Sequence, residues 1–288
     1  MSNAITIDRL TPTIGAEISG VDMSKPLGNE TFAAVHDALM AHGVIFFRDQ
    51  DITPAQHKDF ASKFGHLQVH PFAPNHSEEH PEIIVIEHGP KRKPDLNNWH
   101  TDVTFMQEPP LGSVLHAKIM PETGGDTMWA SMYAAYEALS DRMQRMLGEL
   151  TAVHDYEHVF GKSGRLYRNQ ADGKMQSERE KHPPAEHPVI RTHPVTGRQG
   201  IFVNSSFTTH IKDMKQKESD ALLAFLHDHV KQAEFQCRFR WQKNSVAFWD
   251  NRCTQHYAIA DYFPEHRQMH RVTIDGDRPQ YRPEHRPN

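Results

Sequence analysis

Apolar and polar positions follow two different periods along this chain. Residues 29–42, NETFAAVHDALMAH, set Phe32, Val35, Leu39 and Met40 at helical spacing, which predicts a helix that Gly43 ends. The continuous apolar run VIFF at 44–47 predicts a buried strand. Thr53-Pro54 opens a second helix reaching about Phe64, with threonine as N-cap and proline at the first helical position. AITIDRL and TIGAEISG near the start read as short strands, as do IIVIE (83–87), SVLHAKI (113–119) and DTMWA (126–130). Two helices are expected near 132–139 and 141–150, with Ser140 as a cap between them. TAVHDY (151–156) and PVIRTH (188–193) read as strands, 216–230 as a helix, and EFQCRFR, SVAFWD and MHRVTI as three closing strands. The polar, basic stretch 157–187 is punctuated by proline and glycine and is expected to be a long loop or lid. Neither a 20–50-residue repeat nor a linker is visible. The expectation is one domain over 1–288, mainly β with flanking helices, as a barrel- or jelly-roll-like sandwich.

Composition narrows this picture. A chain of 288 residues can bury a large core, and 37% hydrophobic with 24% charged residues fits an ordinary soluble protein. The net charge of −5 gives no electrostatic reason to expect nucleic acid or a membrane surface as partner. No apolar run approaches bilayer length, and MSNAITIDRL carries Asp8 and no apolar stretch, so it does not read as a secretory signal. Two cysteines, Cys237 and Cys253, argue against a disulfide framework and fit a reducing cytoplasm. The 22 histidines are mostly background. HDH at 227–229 and the His-Pro pairs at 182, 187 and 193 read as surface or turn residues.

The sharpest local motif is Trp99-His100-Thr101-Asp102-Val103-Thr104-Phe105. On an extended segment, residues i and i+2 point to one side, so His100 and Asp102 can offer a nitrogen and an oxygen to one ion. His256 would complete two histidines and a carboxylate, a facial set with open positions that suits Fe(II). His-x-Asp/Glu occurs four times, at His57, His76, His80 and His100, and context sorts them. His57 and Asp59 fall in a predicted helix, where i and i+2 diverge. His76 and His80 sit in a polar loop. Only His100 lies in a β-prone stretch with apolar neighbours. A satisfied His–Asp hydrogen bond is the alternative.

Further on, WDNRCTQHY carries His256, and eleven residues later comes Arg267, then Arg271. On a strand, Arg267, Met269 and Arg271 share a face. Two inward arginines call for anions, and arginine takes carboxylates and sulfonates by paired hydrogen bonds. An exposed edge with both arginines in water is the alternative. Cys253, close to His256, reads as a buried free thiol rather than a ligand.

Taken together, GAEISGVD (15–22), HGVIFFRDQ, ITPAQ, NWHTDVTF, TGGDTMW, HPVIRTHPVTGRQ, FVNSSFTT, WDNRCTQHYA and MHRVTIDGDRP run nearly the length of the chain. With these motifs the chain resembles the taurine dioxygenase family of Fe(II)/2-oxoglutarate-dependent oxygenases, which includes alkylsulfatases and phenoxyacetate-degrading enzymes. The resemblance implies a double-stranded β-helix, a jelly roll with flanking helices. It implies His100, Asp102 and His256 as iron ligands, and Arg267 with Thr127 on the distal carboxylate of 2-oxoglutarate. For the primary substrate it implies His70 and Arg271 on a sulfonate, with the Val103 backbone, Phe160 and Phe207 as pocket wall. Two positions depart from the pattern. Ala73 stands where the family's taurine enzyme has a tyrosine, and Leu96 where it has an asparagine, although Asn97 is adjacent.

The implied reaction consumes O2 and 2-oxoglutarate, releases succinate and CO2, and hydroxylates the carbon next to the sulfonate. The product falls apart to an aldehyde and sulfite. A small anionic organosulfur substrate and a homo-oligomer, dimer or tetramer, are expected. The alternatives are an alkyl sulfate ester or aryloxyalkanoate dioxygenase of the same family, zinc hydrolysis on the same ligands, and a non-catalytic jelly-roll metal sensor. The arginine pair fits the last two poorly.

Overall fold

The structure is a computed structural model, and it describes residues 5–69, 76–94, 98–160 and 182–283. Helix α1 (Asn29–His42) buries Val35, Ala38 and Leu39. It stops at Gly43, whose φ of 69° lets its N–H reach the Leu39 carbonyl at 2.8 Å. Helix α2 (Pro54–Ser62) starts with a capping box between Thr53 and Gln56, and ends two residues before the expected Phe64. Ser140 caps the start of α4 (Asp141–Gly148), which follows α3 (Met132–Glu137). Two further helices are α5 (Glu157–Phe160) and α6 (Gln216–His229).

The strands are β1 (Thr6–Arg9), β2 (Ala16–Ser19), β3 (Val44–Phe47), β4 (Ile83–His88), β5 (Gly112–Ile119), β6 (Thr127–Ser131), β7 (Thr151–His154) and β8 (Ala185–Pro188). They continue with β9 (Ile190–Thr192), β10 (Gln199–Ile201), β11 (Thr208–Ile211), β12 (Gln236–Phe239), β13 (Val246–Asp250), β14 (Thr254–Ala258) and β15 (Arg267–Ile274). A seven-stranded sheet runs β1-β2-β3-β13-β5-β15-β4. Smaller sheets, β12-β6-β14, β11-β7-β8 and β10-β9, accompany it. The chain is mainly β with flanking helices, the jelly-roll architecture expected.

Strand β3 explains why VIFF reads as an unbroken apolar run. Ile45 and Phe47 join a core with Val35, Leu39 and Phe60 from α1 and α2. Val44 and Phe46 face the other way, onto Trp129, Phe239 and Trp249. A sheet covered on both faces needs apolar residues at every position. Each such side chain contributes about 1.5–3 kcal/mol on burial. Strand β15 obeys the same alternation: Val272 and Ile274 enter the helix-side core, while Arg267, Met269 and Arg271 face the inner side.

Several elements depart from the sequence reading. Part of the expected lid, 161–181, lies outside the described residues, and 185–188 within it is strand β8. Strands β10, β11 and β14 carry too many polar residues for hydropathy to reveal them; β14 buries Thr254, Gln255 and His256. His187 and His193 are not surface residues, being 1% and 2% exposed. His187 Nε2 donates to the carbonyls of Thr104 at 2.9 Å and Met106 at 3.0 Å, and His193 Nε2 donates to Asp250 Oδ2 at 3.0 Å. Their partners lie far off in sequence, so local pattern could not reveal the burial.

Buried histidines make the fold acid-sensitive. Burial lowers His57 to about 3 and His116, His187 and His270 to about 4, and pushes His154 well below the ordinary 6.5. Their unfolded pKa lies above the folded one, so the unfolded chain binds more protons as pH falls below 6.5. The stability they support is complete above that value and is lost toward pH 4, by up to about 1.4 kcal/mol per pH unit for each group. Urea unfolding of the metal-free protein at pH 7.5, 6.5 and 5.5 should show the loss opening below 6.5. Equal stability at 7.5 and 5.5 would contradict this account.

Candidate active site

His256 sits in the middle of β14, where it pairs with Trp129 on β6. On its other side it forms an isolated antiparallel bridge with His100: His100 N–H to His256 O is 3.0 Å, and His256 N–H to His100 O is 2.8 Å. Two residues so paired stand directly opposite, and their ring centroids are 4.1 Å apart. The chain does not continue extended after His100. It turns at Asp102, and Val103 takes φ +42°, a left-handed value costly for a β-branched residue. The turn still brings the carboxylate beside the imidazoles. Asp102 Oδ1 is 3.7 Å from His100 Nε2 and 3.8 Å from His256 Nε2.

Neighbouring groups hold this arrangement. His100 Nδ1 donates to the Asn98 carbonyl at 3.0 Å, which leaves Nε2 with its lone pair toward Asp102. Thr101 Oγ1 ties the segment to the Thr254 carbonyl at 2.8 Å. Asn251 Oδ1 accepts from Trp249 Nε1 at 3.0 Å and from the Asp102 N–H at 3.5 Å. Ser113 Oγ donates to Asp102 Oδ2 at 3.4 Å. Burial foremost, then the nearby His100, pushes His256 down to about 3, so its imidazole is neutral.

The two arginines of β15 lie in the same cavity, which spans about 710 Å³ including its open mouth. Arg271 Nη1 donates to Asp102 Oδ1 at 3.2 Å. Arg267 is 5% exposed and has no carboxylate within 4 Å among the described residues. Thr127 stands in the same cavity, its oxygen accepting from Trp241 Nε1 at 3.0 Å, so its own hydroxyl can donate. Trp129, Trp249, Leu115 and Met269 supply apolar wall. Phe207 packs with Val103, Phe105 and Tyr156 in a separate apolar cluster adjoining the Asp102 turn. His70, Ala73, Leu96 and Asn97 lie outside the described residues, as does the side chain of Phe160. Cys253 belongs elsewhere, buried near Asp250 and His193, as a free thiol.

The sequence reading missed several residues here. His88 and Tyr262 line the cavity beside Arg267, while Asn251, His154 and His187 buttress the Asp102 turn and the segment 104–106 next to it. Asn251 and Tyr262 each stand five residues before a residue already singled out, His256 and Arg267.

The donor set fits a divalent cation. Two imidazole nitrogens and a carboxylate oxygen lie within 4.8 Å of one another, the mixed nitrogen–oxygen set that iron accepts. A second observation supports a bound group. Arg267 Nε and Arg271 Nε, on two cavity residues, are buried without a hydrogen-bond partner among the described residues. Such orphans are rare in folded proteins outside functional sites.

Known proteins resemble this chain over nearly its whole length. The taurine catabolism dioxygenase TauD, TfdA family matches residues 6–273. An alkylsulfatase of Acinetobacter baylyi is 36% identical over 283 residues, covering 95% of this chain and 86% of the relative. An alpha-ketoglutarate-dependent sulfate ester dioxygenase of Pseudomonas putida is 36% identical over 271 residues, covering 92% and 88%. The crystal structure of a taurine dioxygenase from Burkholderia xenovorans superposes with a TM-score of 0.82 at 35% identity, covering 98% of this chain and 94% of that one.

Proposed function

Because the chain belongs to the TauD, TfdA family of dioxygenases, whose chemistry uses Fe(II), 2-oxoglutarate and O2, we propose that it oxidises a sulfonate or sulfate ester with an apolar tail. His100, Asp102 and His256 hold the iron in this reading. The observation that carries it is the meeting of these three side chains at a cavity that His100 and His256 share with two inward arginines, one of them 3.2 Å from Asp102.

When bound, the iron with 2-oxoglutarate and O2 supplies the oxidising power that inserts oxygen into a C–H bond, with succinate and CO2 as co-products. The chain's own residues choose which bond. Arg267 and Thr127 take the distal carboxylate of 2-oxoglutarate by charge-assisted hydrogen bonds. Arg271, with His70, takes the sulfonate or sulfate head, so the adjacent carbon faces the metal. In this reading the Val103 backbone, Phe160 and Phe207 complete the pocket wall around the substrate. A carbon hydroxylated beside a sulfonate expels sulfite with the C–S electron pair and becomes an aldehyde. Beside a sulfate ester it expels sulfate by C–O cleavage. The hydroxyl proton goes to solvent in both.

Ala73 and Leu96 favour a tail less polar than taurine's, because an ammonium against them would lose hydrogen bonds worth about 1–3 kcal/mol. The alkylsulfatase and the sulfate ester dioxygenase among the relatives support the same choice. Short alkylsulfonates or alkyl sulfates should therefore exceed taurine in kcat/KM by roughly tenfold or more. A strong taurine preference would overturn the substrate reading. We also assign the enzyme to the cytoplasm, where its free thiols Cys237 and Cys253 stay reduced. No helix among the described residues is long and apolar enough to cross a membrane. A homo-oligomer, dimer or tetramer, is the expected assembly.

A further inference from the structure

We propose that Tyr262, backed by His88, aims Arg267 and sets which length of 2-oxo diacid the co-substrate site accepts. The inference rests on reading Arg267 and Thr127 as the anchor of 2-oxoglutarate.

The cavity is bounded near Arg267 by Thr127, His88 and Tyr262. Tyr262 is 5% exposed, and its hydroxyl is hydrogen-bonded to His88 Nδ1 at 3.1 Å. The Tyr262 ring centroid lies 5.6 Å from the Arg267 guanidinium carbon. A glycine pair presses the two side chains together. Gly125 has φ +71°, and a Cβ there would sit 3.1 Å from Arg267 Cδ and 3.2 Å from Tyr262 Cδ1. Its N–H donates to Asp261 Oδ1 at 2.8 Å, fixing the residue before Tyr262. A Cβ on Gly124, at φ +81°, would come within 2.7 Å of that same oxygen.

The consequence is directional. The Tyr262 ring covers one side of the guanidinium, while Nε has no partner among the described residues. A carboxylate can take the remaining donors only from the cavity side, where bidentate geometry fixes its position. With Arg267 held and the metal ligands held, the span between them selects one chain length. A shorter diacid fails to reach Arg267, and a longer one meets the Tyr262 ring and His88.

The test is calorimetric binding of 2-oxoglutarate and 2-oxoadipate to the Mn(II)-loaded protein, without turnover. Tyr262→Phe keeps the ring but loses the hydrogen bond to His88 that holds it against Arg267, so 2-oxoglutarate should bind about threefold to tenfold more weakly. Binding of an alkyl sulfate should stay within twofold. Tyr262→Ala opens the end of the cavity and should shift the preference toward 2-oxoadipate by about tenfold or more. Arg267→Ala separates the co-substrate reading from the role of Tyr262. If it binds 2-oxoglutarate like wild type, the underlying co-substrate reading falls and this proposal with it. If Arg267→Ala loses binding while both Tyr262 variants bind and discriminate like wild type, only this proposal falls. Should Tyr262→Ala fail to fold, Tyr262→Phe decides alone.

Discussion

Replacing Asp102 with alanine is expected to lower Fe(II)-dependent succinate formation at least a thousandfold. Its carboxylate is the only anionic group among the three side chains that converge, with Oδ1 3.7 and 3.8 Å from the two imidazole nitrogens. Without it, only the two imidazoles would remain to hold the ion. Arg271 would also lose the oxygen it approaches at 3.2 Å, leaving a cation beside the metal position. Both effects oppose a divalent ion, so the loss should exceed the roughly 10–100-fold typical of residues that only support a ligand. Fe(II) or Mn(II) titration should show the same deficit, and a melting curve taken alongside excludes unfolding as its cause. Activity near that of wild type would rule out Asp102 as a ligand.

Arg271→Ala should act on a different quantity. Its Nε has no partner among the described residues, and the residue lines the cavity next to Asp102. Removing one partner of a buried charge pair costs about 2–5 kcal/mol. The expected result is a KM for the alkyl sulfate or sulfonate raised on the order of a hundredfold. The KM for 2-oxoglutarate should change by less than about threefold, since Arg267 lies two positions along the face and should keep its own anion. A fall in kcat with the substrate KM unchanged would show that Arg271 serves the metal ligand rather than the substrate.

The parts of this site that sequence made legible share a physical character. Helix α1 has the predicted bounds, because its apolar period and Gly43 are both local signals. The shared face of Arg267, Met269 and Arg271 follows from strand geometry once β15 is recognised. The convergence of His100 with Asp102 was expected for a partly incorrect reason. The segment is not extended; a single bridge to His256 and a strained Val103 achieve what the strand was expected to do. What stayed hidden depends on contacts between distant positions. Tyr262 and His88 are 174 residues apart, and His187 and Thr104 are 83 apart. Strand β14 hides because the residues it buries, Thr254, Gln255 and His256, are polar.

The central claim is oxidative cleavage of an organosulfur anion coupled to 2-oxoglutarate. The most direct measurement follows succinate, O2 uptake and released sulfite or sulfate together, with Fe(II), 2-oxoglutarate and ascorbate, over a panel of alkylsulfonates and alkyl sulfates. The account predicts one succinate and one O2 for each sulfur anion released, and none of the three without Fe(II) or 2-oxoglutarate. Release of the sulfur anion without succinate or O2 uptake would mean hydrolysis and would contradict the account.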